Sequence, residues 1–93
     1  MRTFLIIYSS TNSITELQAR IRSLGEAFFF MDTHCLLSVD DHFTAQDIYN
    51  RLGEDSQLNS IFVNAISTTV SEGYWGTMPR DFWDWLKAHP TSR

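Results

Sequence analysis

The chain has 93 residues, 43% hydrophobic and 19% charged, which suits one small globular domain, is too short for two, and is too apolar for a disordered segment. Its net charge of −4, with seven scattered Lys and Arg, argues against binding long nucleic acid, which needs clustered cations to displace counterions. No apolar run approaches the ~20 residues of a membrane helix, and the first residues lack the features of a secretory leader, so no membrane role and a cytoplasmic location are expected.

The first element is the run Thr3–Tyr8. Phe4, Ile6 and Tyr8 fall on one parity and Leu5 and Ile7 on the other, so the strand is apolar on both faces and central. It is expected to spill into a loop at Ser9, Ser10 and Thr11. A strand end that feeds a helix presents amides and hydroxyls to an anion. This one has neither glycine nor lysine, and its hydroxyls are read instead as caps for the helix that follows.

Ser13 and Glu16 have capping-box spacing, and Ile14, Leu17, Ile21 and Leu24 recur at helical spacing, with Arg20 and Arg22 off the stripe. Gly25 reads as a left-handed stop. Ala27–Met31, a polar break at Asp32 and Thr33, and Cys35–Val39 then form a hairpin pattern, closed by Asp40 and Asp41. Cys35 is the one cysteine and sits in an apolar run, as a small buried hydrophobe in a reducing compartment would.

Thr44 and Asp47 form a second capping box, Phe43 and Ile48 a hydrophobic staple, and Ile48 and Leu52 the stripe of a second helix ending at Gly53. A polar loop, EDSQLN, precedes a fourth strand at Ile61–Ile66. The order βαββαβ predicts an α+β, ferredoxin-like sandwich, a four-stranded antiparallel sheet with two helices on one face. The core covers about residues 1–67 of one domain, 1–93. A tail of about 68–93 carries a turn-like stretch and a third helix near Pro79–Ala88, with Phe82, Trp85 and Leu86 at i, i+3 and i+4 and Lys87 and His89 near the C-terminal dipole.

Residues with chemical potential are few. Asp32 and His34, and Asp40, Asp41 and His42, pair carboxylates with imidazoles and are weak candidates for metal ligation or acid–base work. Asp in a tight turn more often bonds its own backbone. No G-x-S-x-G elbow, Walker loop or H-E-x-x-H occurs. Tyr74, Trp75 and Trp83 are candidates for an interaction surface, because Tyr and Trp dominate binding hot spots. FLIIY and AFFFM are apolar on both parities while two helices cover only one face, so the tail and a second subunit are expected to cover the other.

With FLIIY first, LGEAFFFMDTHCLLSV in the middle and WGTMPRDFWDWLK last, the chain resembles the SinR-like branch of small ferredoxin-fold proteins. That branch is related to the small CRISPR-associated endoribonuclease family, the second core adaptation protein. The resemblance implies a homodimer and, in nuclease-like relatives, an Asp at the end of the first strand that holds Mg²⁺ with its symmetry mate. The matching position here is Ser9 or Ser10, and neither supplies the anionic oxygen that Mg²⁺ prefers. The expectation is a cytoplasmic homodimer that acts through protein contacts without catalysis and without a cofactor. The alternatives are a Mg²⁺-dependent nuclease using displaced carboxylates such as Asp32 or Asp40, and a small-ligand sensor with a pocket at the dimer interface.

Overall fold

The computed structural model describes residues 1–10, 14–52, 58–66 and 76–89. Seven elements follow in order: β1 (Arg2–Ser10), α1 (Ile14–Leu24), β2 (Glu26–Met31), β3 (His34–Val39), α2 (Ala45–Leu52), β4 (Leu58–Ile66) and α3 (Arg80–Ala88). The four strands form one antiparallel sheet in the order β2-β3-β1-β4. Each helical crossover therefore skips a strand. α1 carries the chain from β1 past β3 to β2, and α2 carries it from β3 past β1 to β4.

Strand alternation divides the side chains of β1 between two faces. Phe4, Ile6 and Tyr8 meet Cys35, Leu37 and Val39 of β3 in one buried cluster with Leu17 and Ile21 of α1 and Ile48 and Leu52 of α2. Both crossover helices thus cover the same face. Each fully buried Ile or Leu there contributes roughly 1.5–3 kcal/mol relative to exposure. The opposite face carries Thr3, Leu5, Ile7 and Ser9 of β1, Leu36 and Ser38 of β3, and Phe28 of β2, as the cross-strand register requires.

α3 covers part of that second face. Phe82 lies edge-on to Phe30 at 5.0 Å, and Trp85 stacks on Phe28 at 6.1 Å. Leu86 is its buried residue. Beneath, Thr3 and Ser38 are paired across the strands and buried, and their hydroxyls have no hydrogen-bond partner among the described residues. Towards β4 the same face opens. Leu5 and Ile7 are half-buried, and Phe62, opposite Ile7, is 58% exposed.

Four expectations change. β1 runs two residues beyond Tyr8, because Ser9 pairs with Ser60 and Ser10 with Leu58, so the hydroxyls are strand residues, not a loop. β4 begins at Leu58, three residues before the apolar run, for the same reason. α3 begins at Arg80, with Pro79 as its N-cap in extended backbone (φ −55°, ψ 153°). Gly25 ends α1, yet no described glycine has a positive φ. Its role is close approach: a Cβ there would lie 2.2 Å from the Ser38 carbonyl oxygen and 2.9 Å from Val39 Cγ1. The capping box of α2 is present in full. Asp47 N–H donates to Thr44 Oγ1 at 3.1 Å, and Thr44 N–H donates to the Asp47 carboxylate at 2.9 Å. Ser13 lies outside the described residues.

Candidate functional site

The C-terminal end of β1 is the position at which the resemblance implies an acid in nuclease-like relatives. Antiparallel pairing brings the β2–β3 turn to this end, and Tyr8 N–H donates to the Thr33 carbonyl at 2.9 Å. Ser9 Oγ and Ser60 Oγ share a hydrogen bond of 3.0 Å, so the partner of this hydroxyl is a second hydroxyl rather than a base. His34 Nδ1 lies 2.7 Å from Thr33 Oγ1. Asp32 is exposed in the turn.

Asp40 belongs to the other end of the sheet. It follows Val39, which pairs with Arg2, whereas Asp32 precedes His34, which pairs with Ile7. Six strand residues at ~3.4 Å each separate the two carboxylates by about 20 Å along the sheet. Within one chain they cannot share an ion or a substrate atom. At the Asp40 end, Asp41 receives the N-terminal ammonium at 2.7 Å, and His42 packs on Phe43 with ring centroids 4.5 Å apart. No group of three His, Cys, Asp or Glu that could hold a metal occurs among the described residues. Ser9 does not fit the Mg²⁺ position that the resemblance implies, because a neutral hydroxyl bonded to Ser60 replaces the anionic oxygen such an ion needs.

Two buried groups of the core titrate far from neutrality. Burial pushes the Cys35 thiol up to about 12, so it remains a protonated, inert side chain. Burial also raises the Tyr8 phenol, an effect that Gln18 and Arg22 oppose and that the charges of Cys35 and Asp32 reinforce. Although Gln18 lies close enough to act on it, the Tyr8 hydroxyl is buried without a well-formed hydrogen bond among the described residues.

On the outer face of the helices, Arg20 and Ser23 of α1 and Asn50 and Arg51 of α2 line an open groove of about 360 Å³. The Arg51 guanidinium lies over the Phe43 ring, 5.1 Å from its centroid. This packing fixes the cation against an aromatic surface at the end of α2.

The tail presents a second constellation. Trp83, expected at an interaction surface, is half-buried; its Nε1 donates to the Met78 carbonyl at 3.0 Å and its ring meets Phe82 edge-on at 5.3 Å. Tyr74 and Trp75 lie outside the described residues. His89 stacks nearly parallel on Trp85, 4.0 Å between centroids, with Nδ1 2.8 Å from the Trp85 carbonyl and Nε2 bonded to the Glu26 carboxylate. Both partners are hydrogen-bond acceptors, one at each ring nitrogen. It ties the end of α3 to the start of β2.

Sequence reasoning missed the pairing of His89 with Glu26 and the exposure of Phe62. The first joins residues 63 apart and leaves no local signal. The second was open to detection: IFVNAI has no charge, and the observed strand order puts β4 at an edge.

No protein-family model matches the chain, and no curated protein and no solved structure matches it. Among the described residues, no helix is long and apolar enough to cross a membrane.

Proposed function

We propose that this chain is a ferredoxin-like, cytoplasmic, homodimeric domain of the SinR-like kind that works through protein–protein contact and does not catalyse. The strand order β2-β3-β1-β4 with two crossover helices on one face is consistent with that fold. The observation that carries the functional reading is the half-covered second face. α3 packs on Phe28 and Phe30, while no described element gives Leu5, Ile7 and Phe62 the cover that the other face has from α1 and α2. Apolar surface left open in this way marks an interaction site. The strand-end chemistry supports the same reading, since Ser9 is engaged with Ser60 and the acids Asp32 and Asp40 lie at opposite ends.

Two measurements on the purified chain test the proposal. Sedimentation at micromolar concentration is expected to give twice the 10.8 kDa chain mass, and a monomer overturns the dimer. Incubation with RNA or DNA and Mg²⁺ is expected to leave both intact. Cleavage abolished by Asp32→Asn or Asp40→Asn establishes the nuclease reading instead.

A further inference from the structure

We infer that two copies of the chain pair through the free edge of β4, antiparallel about a two-fold axis at Phe62, to form one continuous eight-stranded sheet. The inference rests on the homodimeric reading above and names its surface.

An edge strand offers a row of unpaired amides and carbonyls, and proteins that stay monomeric blunt it with Lys, Pro, a bulge or a covering element. β4 is the outermost strand, and among the described residues no strand pairs with its far side. Its nine residues, LNSIFVNAI, contain no charge and no proline. Its register with β1 is regular from Ser60 to Ile66, the one irregularity falling beyond Ser9. From Ser60 to Ile66 β4 is a regular strand without blunting residues, and its one bulge, between Leu58 and Ser60, lies outside the proposed pairing, which is what strand addition requires.

The sequence also says which occupant fits. Reversed about Phe62, the strand pairs with itself in kind. Ile61 comes opposite Val63 of a second copy, a β-branched apolar pair, and Ser60 comes opposite Asn64, two uncharged polar residues. Phe62 comes opposite Phe62, so a side chain 58% exposed in one copy meets its equivalent on the same side of the joint sheet. A chain of net charge −4 repels its copy over most of its surface, and here no like charges are brought together. An unrelated extended peptide would gain the main-chain bonds but has no reason to match this pattern.

The test uses the full chain. In the first arm, Ser60→Lys/Asn64→Lys sets Lys opposite Lys at both ends of the pairing, whereas Ser60→Lys/Asn64→Glu sets Lys opposite Glu. Both positions are exposed, so neither change disturbs the core. The dissociation constant of the dimer, from sedimentation equilibrium, is expected at least about tenfold higher for the first variant than for the second. General repulsion predicts the reverse, because the Lys/Lys variant brings positive charge to an acidic chain. In the second arm, Phe62→Cys is oxidised mildly. Directly opposed strand residues have Cα atoms about 4.5–5.5 Å apart, within disulfide reach, so a covalent dimer is expected. Asn64→Cys is expected to stay unlinked, since two copies of that position lie several residues apart, and native Cys35 is fully buried. A dimer with equal constants for the two charge variants, or without cross-linking at Phe62→Cys, overturns the β4 pairing and leaves the homodimer standing. A monomer overturns both.

Discussion

β2 and β4 are the two outer strands of one sheet, and the chain treats them differently. β2 is short, carries a register shift between Phe29 and Met31, and has Glu26 at its start held by His89. Its outward ring, Phe28, is sandwiched by Phe82 and Trp85 of α3. β4 is nine residues long and uncharged, and its outward ring, Phe62, is exposed. The two aromatic residues lie on the same face of the sheet, two positions apart in register, so composition does not separate them. The tail helix does, since it returns over β2 only. The helix covers the face of β2 and leaves the same face open at β4.

The largest effect that separates the two edges is expected at Gly25→Ala, where the chain enters β2. A methyl group 2.2 Å from the Ser38 carbonyl forces β2 away from β3, so a loss of about 3 kcal/mol in denaturant unfolding is expected. Gly76, whose added Cβ meets nothing within 4 Å, serves as the control and should tolerate Ala. Next comes Phe28→Ala, which removes the ring on which Trp85 and Phe82 pack and should cost about 2–3 kcal/mol, read as a lower denaturant midpoint. Thr44→Ala unpicks the capping box of α2, the helix that delivers the chain to β4, and should cost about 1 kcal/mol at neutral pH. Asp47 adds a pH signature. The backbone amide and hydroxyl of Thr44 hold its carboxyl below the usual 3.8. A lowered value stabilises the fold above the ordinary carboxylate range, and that support disappears as the pH falls through it. The gap between Thr44→Ala and the native chain should therefore shrink below about pH 3.8, which urea titrations at pH 7 and pH 3 will show. The smallest effect is expected at Phe62→Ala on β4. Measured in the Lys/Lys background, where the chains are apart, it should change stability by no more than about 0.5 kcal/mol. A loss equal to that of Phe28→Ala would abolish the contrast between the edges.

Much of this fold was legible because its signals are local. Thr44 and Asp47 sit three residues apart and were read correctly as a reciprocal cap, and the stripe of Ile48 and Leu52 lies on the buried side of α2. The run of β1, apolar on both parities, was enough to make it central. The misreadings arose where the deciding partner is distant in sequence. Ser9 looks like a loop or cap residue by propensity, but Ser60, 51 residues on, makes it a strand residue with a hydroxyl partner. Gly25 was placed correctly and explained wrongly, because the Ser38 carbonyl that excludes a side chain belongs to another strand. The candidate acids were legible too: Asp32 was read in the hairpin turn and Asp40 as closing the next strand, and the six residues of β3 separate them.

The stacking of His89 on Trp85 gives the molecule an optical property. An imidazole held face to face with an indole, 4.0 Å between centroids, quenches indole emission by contact. Trp85 should therefore be dim while α3 lies on β2 and bright when it lifts away. The native chain carries its own reporter of whether that edge is closed, and no dye or label is needed to follow it.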